Sequence, residues 1–421
     1  MVERRGRRGR RGGWARGLIV LLAAAGACGC LGPRAVKFSR LRYNEAYRDT
    51  NDEQLLLNIV RLRYADSPVF IDLPNITSQF EVAGSGNYQG GYGLQFPGRT
   101  SLGVGGVTAR DTPTLSYHPR EGREIARALL TPLSADFFSL VTLGANIEQL
   151  LMLTINDFND VRNATQATVL SPRTPDDNAR FREGAQLLAS LIERDAMELL
   201  IGTTEDDEDS SEAVPSSSVR GTDLLNAAKD GYVFRSRGQN KVTLVKRERG
   251  LILKVRPNYV NSPDLRRLAE IYRFAPGRRI YQVKSELSAD ATAREPGPLG
   301  EDGATIYINL RSVLQVLTFL SKGVCVPAEH VECGIAPTTR GPDGMPFDWT
   351  VVTRGFFFVH SDRHRPKRSE VAIQYRGYWF YIAPNDVSSR ASLAILEMLF
   401  ALEESEEKPG GPLLTLPVGG G

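Results

Sequence analysis

Ser78-Gln-Phe-Glu-Val-Ala-Gly-Ser-Gly-Asn-Tyr-Gln-Gly-Gly-Tyr-Gly-Leu-Gln-Phe96 is the stretch on which the fold turns, and Pro97-Gly98-Arg99-Thr100 and Ser101-Leu-Gly-Val-Gly-Gly-Val-Thr-Ala-Arg110 follow it. Phe80, Val82, Tyr88, Tyr92, Leu94 and Phe96 all occupy even positions, with small or polar residues between them. A period of two is the signature of a strand with two unlike faces. Leu102 and Val104 keep the even phase on the return. Val107 breaks it after Gly105-Gly106, where a bulge is expected, and Leu115 and Tyr117 continue on the new phase. The pattern predicts a long Gly-rich β-hairpin over 78–117 that turns at 97–100. Residues 80–96 exceed the roughly 9–11 residues that carry a strand across a bilayer. Two readings follow. In one, the hairpin packs on its own domain with the even residues inward. In the other, the even residues face lipid and several subunits each donate a hairpin, because an open sheet edge in hydrocarbon is forbidden.

On the N-terminal side, Leu41–Tyr64 reads as a helix. Thr50 with Glu53 fits a capping box, Leu55, Leu56, Ile59 and Leu62 recur at helical spacing, and Pro68 bars continuation. Val69–Leu73 is a short strand. On the C-terminal side, Arg120–Leu133, Ala135–Leu153 and Asp176–Ile201 read as helices. The acidic, Ser-rich run from Thr203 to Ser218 cannot form a core and reads as a linker over 203–221. Beyond it, Tyr232–Arg256 alternates in two β segments broken around Arg247–Gly250. Pro263–Phe274, Val313–Ser321 and Val387–Leu402 are expected helices, the last capped by Asn385-Asp386. Arg279–Lys284, Ile306–Asn309, Phe356–His360 and Glu370–Ile382 are expected strands, with a turn at Arg376-Gly377. The expected class is α+β: an N-terminal helical domain over 41–202 carrying the hairpin, the linker, an α+β domain over 222–405, and a tail from 406.

The first residues are basic and Gly-rich, and Leu18–Ala27 is apolar but too short to span a bilayer as a helix. Cys28-Gly29-Cys30 follows directly. A basic head, an apolar core and small residues before a cleavage point make an export signal over 1–27. Ala25-Gly26-Ala27-Cys28, or Ala27-Cys28-Gly29-Cys30, resembles a lipobox, the site of diacylglycerol attachment and cleavage in bacterial lipoproteins. Cys28 and Cys30 are both candidates for the lipid, with 28–40 as the tether. Neither Gly29 nor Leu31 is the Asp that retains a lipoprotein in the inner membrane, so an outer-membrane protein facing the periplasm is expected. Residues 1–27 hold seven Arg against one Glu, six units of positive charge, so a chain of +3 becomes one of −3 after cleavage. That balance argues against nucleic acid as a partner. The membrane, protein partners and self-association remain.

Cys325 and Cys333 are the other two cysteines. In an oxidising periplasm they can close a small loop by a disulfide. With His330 between them they match no known zinc spacing. No Gly-x-Ser-x-Gly elbow, His-Glu-x-x-His, P-loop or Rossmann fingerprint occurs. His360 and His364 lie four apart, but Arg365-Pro366 favours a solvated turn. Phe356–Phe358 and Tyr378–Tyr381 suit buried strands better than a ligand pocket. The basic residues of 235–256 read as the wet face of a sheet. No catalytic residue, cofactor or metal site is expected.

Leu55–Tyr64, Asp111–Tyr117, Leu129–Pro132, Tyr375–Ile382 and Leu413–Val418 resemble a family of uncharacterised Gram-negative envelope lipoproteins with no assigned activity. The resemblance runs through most of the mature chain and implies the lipoprotein class and no chemistry. The expected function is a lipid-anchored envelope protein with a non-enzymatic interaction or assembly role. The alternatives are an oligomeric channel or export component inserting the hairpin, and an envelope enzyme of unrecognised type. Palmitate labelling in cells checks the anchor: either Cys28→Ser or Cys30→Ser abolishes incorporation, and label surviving in the double substitution would sink the lipoprotein reading.

Overall fold

A computed structural model of the chain describes residues 31–405, apart from 86–105, 120–122, 139, 141–143, 145, 171, 176–177, 207–213, 230–231, 237, 239 and 286–304. It is α+β, with three sheets and one continuous hydrophobic core that runs from Leu55 to Leu399.

The first helix, α1, spans Leu31–Arg63, which at 1.5 Å per residue is roughly 50 Å long. From Arg40 to Thr50 its side chains are exposed apart from Tyr43. From Leu55 onward Leu55, Leu56, Ile59, Val60 and Leu62 are buried in the core. The expected capping box at Thr50 is not formed. Thr50 lies inside the helix, and its hydroxyl donates back to the Ala46 and Tyr47 carbonyls at 2.8 and 3.0 Å. The helix stops before Pro68 is reached, at Ala65 with φ +59°. There Asp66 N–H reaches the Arg61 carbonyl at 2.9 Å and Ala65 N–H reaches Leu62 at 3.1 Å, the paired bonds of a left-handed C-cap without its usual glycine.

Two long strands follow, β1 at Ile71–Ser85 and β2 at Gly106–Pro119. They pair antiparallel as a separate two-stranded sheet. Short helices come next, α2 at Arg123–Leu130 and α3 at Ile147–Thr154. Between them Ala135–Phe138 is a 3₁₀ turn, and Asn146 caps α3 through Gln149 N–H at 3.0 Å. The stretch 135–153, expected to be helical with punctuation at Gly144-Ala-Asn146, holds among its described residues a 3₁₀ turn at Ala135–Phe138 and α3 from Ile147.

The main sheet has eight strands. Its spine is β8, Lys241–Val255. The first third pairs with β6, Val214–Pro215, and β7, Tyr232–Ser236. The rest pairs with β5, Met197–Asp206, and on its other edge with β9, Ile280–Ser285. β9 runs parallel to β10, Thr305–Leu310, which pairs antiparallel with β3, Ile155–Phe158, and β4, Val161–Arg162, closes that edge.

Three expectations change here. The helix expected to reach Ile201 is α4, Ala179–Glu193. It ends because Asp195 turns to φ +61° and Ala196 N–H bonds Leu191 at 2.8 Å, which frees Met197 onward to pair with β8. The expected break at Arg247–Gly250 is absent, and the turn falls earlier, at Gly238 and Asn240, both at positive φ. The acidic run expected as a linker begins inside β5. The register sets Glu205 opposite Arg247 and Asp206 opposite Lys246, a cross-strand arrangement of opposite charges that favours pairing. The main sheet and the core thus take strands from both sides of 203–221.

Further along lie α5 at Gly221–Lys229, α6 at Pro263–Tyr272, α7 at Val313–Ser321, α8 at Ala328–Glu332 and α9 at Thr350–Thr353. A three-stranded sheet orders β11, His360–Asp362, against β13, Tyr378–Ile382, and β13 against β12, Val371–Tyr375. Arg376 and Gly377, both at positive φ, turn β12 into β13 as expected. The expected strand over Phe356–His360 starts only at His360, and Phe356 and Phe357 are buried ahead of it. The last helix, α10, spans Val387–Ser405, and Asp386 caps it by accepting from Ser389 N–H at 3.0 Å.

Arg311 holds this arrangement at its centre. It is fully buried. Its guanidinium donates to the carbonyls of Met152 at 2.8 Å and Leu153 at 3.0 Å, the end of α3, to Asn163 at 2.6 Å and to Asn156 Oδ1 at 3.1 Å. It lies 4.1 Å from the centre of the Phe319 ring of α7. Burial lowers its pKa to about 9, so it is charged at neutral pH. A helix C-terminus, where unpaired carbonyls carry partial negative charge, suits such a cation. Arg311→Met leaves those carbonyls buried without a donor, and a loss of about 3–5 kcal/mol in urea unfolding is expected. A loss under about 1 kcal/mol would contradict this role.

Candidate functional site

The base of the hairpin is clamped to α1. The fully buried Asn58 donates to the Val69 carbonyl at 2.8 Å and accepts from Val69 N–H at 2.9 Å, copying with a side chain the two-way bond of a strand pair. Gln54 Oε1 accepts from Ile71 N–H at 2.7 Å. The Phe70 ring lies 5.1 Å from that of Phe400 on α10. Asp66 accepts from Tyr375, and Arg376 donates to Asp66 at 2.8 Å. The strands thus leave a rigid foundation.

Above that base the register is unbroken from Asn75 opposite Ser116 to Ser85 opposite Gly106, after an irregularity between Asp72 and Asn75. Residues directly opposite share a face. Phe80 is opposite Asp111, Val82 opposite Ala109 and Ile76 opposite Leu115. The even positions of β1 therefore share a face with the odd positions of β2, the phase that Val107 and Leu115 were expected to take. The other face carries Thr77 opposite Thr114, Gln79 opposite Thr112 and Glu81 opposite Arg110. One face is largely apolar by residue type and the other is polar. Tyr88, Tyr92, Leu94, Phe96, Leu102, Val104 and the turn at 97–100 lie outside the described residues.

The remaining sequence candidates fall elsewhere. Cys28 and Cys30 precede the described residues, and α1 begins directly after them, at Leu31. Cys325 and Cys333 are free, exposed thiols on either side of α8. Cys325 is drawn toward β11 by its N–H bond to the Val359 carbonyl at 2.9 Å. His330 is buried, with Nδ1 2.7 Å from the Tyr64 hydroxyl, and its ring meets Tyr64 and Tyr378 edge-on. No group of His, Cys, Asp and Glu able to hold a metal occurs among the described residues. His364 is in an exposed turn, its N–H bonded to Asp362 at 2.8 Å. Phe357 and Phe380 are core residues. No helix among the described residues is long and apolar enough to cross a membrane.

Two features escaped the sequence reading. One is Arg311. The other is a carboxyl pair where α1 meets α10, Asp52 hydrogen-bonded to Glu397. Burial and the Asp52 charge push Glu397 up to about 7, and burial raises Asp52 as well. Spacing cannot reveal this pair, because the two residues lie on helices at opposite ends of the chain.

Compared with family models, with curated proteins and with solved structures, the chain matches none.

The carboxyl pair sets a pH dependence at the seat of α1. A carboxyl raised in the folded state binds its proton more tightly folded than unfolded. Its contribution is complete below the ordinary value of 4.5 and is lost as pH rises through about 7. Thermal unfolding of Glu397→Gln should lose that part of the slope, so that the variant gains on the parent between those two pH values. A difference between the two proteins that stays constant with pH would contradict the assignment.

Proposed function

We propose that the protein is a lipid-anchored envelope lipoprotein of the outer membrane, facing the periplasm, that works by assembly and not by catalysis. The hairpin is the part that joins it to its partner. The observation that carries this reading is the long ladder of β1 and β2, to which no third strand pairs among the described residues. A lone two-stranded hairpin is marginal in water. Its two outer edges present unpaired backbone groups that template pairing with another chain. A second copy of the chain supplies matching edges. The exposed stretch Arg40–Thr50 of α1, which lies between the lipidation region and the core, supports the anchoring part: a mostly polar helix there acts as a spacer from the bilayer surface. The lipoprotein family that the chain resembles belongs to this reading too.

The alternation of the two faces favours a second, narrower reading, in which several hairpins close a barrel through the membrane. Polar and apolar faces are what lumen and lipid require. Closure removes the open edges that lipid forbids.

The test uses the lipidated full chain in detergent, measured by mass photometry. A homo-oligomer is expected. Replacing residues 78–113 by a short Gly-Ser turn should give a monomer with an intact core. A full-length monomer, or an oligomer that survives the replacement, would refute assembly through the hairpin. Conductance steps in a planar bilayer, lost with the hairpin, separate the channel from assembly at the surface.

A further inference from the structure

Where the end of α1 meets the end of α7 there is a partly open pocket of about 240 Å³. Two cations line it. Lys322, the residue after α7, is 5 % exposed. Its ammonium lies 5.2 Å from the centre of the Trp349 ring and 3.4 Å from the Val169 carbonyl, a long contact. Arg63 is half-buried. One of its Nη atoms donates to the Pro337 carbonyl at 2.8 Å, and its Nε is shut off from solvent with no partner. Neither cation is in an ion pair among the described residues. Among the described residues, none that lines the pocket is acidic. Leu62, Leu170, Pro172 and the indole of Trp349 give the wall an apolar side, and Thr338 and Thr339 line it too.

Two like charges taken out of water without a counter-charge are unfavourable, and an anion placed between them removes that penalty. The contrast with Arg311 is instructive. That guanidinium is more completely withdrawn from solvent but donates to three backbone carbonyls and Asn156 Oδ1. The end of α7 helps to hold Lys322 through the helix dipole, yet it supplies no full charge. Trp349 is itself fixed, its indole N–H donating to Thr339 Oγ1 at 3.1 Å. The two cations and the indole wall therefore stand ready formed.

We propose that this pocket binds a small organic carboxylate, its charged end between Arg63 and Lys322 and its apolar body against Trp349 and Leu62. Arg63 presents a fork that matches a carboxylate, and Lys322 a point charge. An inorganic anion would satisfy the cations but leave the indole and leucine walls against water.

Calorimetry and tryptophan fluorescence on the full chain test this with three probes. Benzoate carries both parts, benzamide has the same shape without the charge, and inorganic phosphate has charge without the body. Benzoate should bind, with the other two weaker by roughly tenfold or more. Lys322→Met should weaken benzoate by roughly ten- to hundredfold. A second measurement needs no variant. Burial and Arg63 lower Lys322 to about 8, and a bound anion raises it again. Binding at or above about pH 8 should take up a proton, seen as a dependence on buffer ionisation heat, whereas at about pH 6 it should not. No benzoate binding, benzamide binding equally well, or binding without proton uptake and unchanged in Lys322→Met would each overturn the site. Phosphate binding as tightly as benzoate would overturn the organic carboxylate.

Discussion

A single guanidinium, that of Arg311, holds the two halves of the core together. Its position at the junction of β10 and α7 places one charge against the open end of α3, the start of β3 and the loop at Asn163. The chain at Arg311 is held from both sides as well, its N–H on the Thr154 carbonyl at 2.8 Å and its carbonyl on Leu133 N–H at 3.0 Å. α7 in turn packs on α1, and α1 carries the base of the hairpin. The foundation of β1 and β2 therefore rests on a buried charge met by three backbone carbonyls and the Asn156 side chain. Such a centre costs heavily if one partner is removed and little while all are present.

The second organising feature is the length of β8. One strand of fifteen residues reaches β5, β6, β7 and β9, so the segments on either side of the acidic run share one sheet. Strand pairing decides what the acidic run does there. Its first residues lie opposite the basic middle of β8, and the pairing turns a stretch that looks like linker into the end of a strand.

Elements whose signal is local were legible in the residues. Val313–Ser321 is a helix over the range its apolar run predicts, Arg376-Gly377 makes the expected turn, and the alternation that starts at Phe80 marks the hairpin. What was not legible depends on partners distant in sequence. Met197–Ile201 continues a helical pattern in apolar content and becomes a strand only because β8 is there to pair with it. Asp195 ends α4 in a left-handed conformation that glycine usually signals, so that end does not announce itself. Arg311 and Lys322 flank an apolar helix, a place where cations are commonly exposed. Nothing in their spacing says that one is enclosed by carbonyls and the other by an indole. Of the proposed sites, the hairpin was visible in the sequence and the anion pocket was not, since Arg63, Lys322 and Trp349 converge only through the fold.

The hairpin's two faces and two open edges are the features that a monomer leaves unused. Hydrogen exchange across 75–85 and 106–118 of the lipidated full chain in membranes tests this most directly. In a lone antiparallel pair, alternate amides bond across the ladder and those between them point outward to solvent. If neighbouring copies complete the sheet, inward and outward amides are both protected. Protection confined to alternate amides, with the outward set exchanging as in an open edge, would contradict assembly through the hairpin.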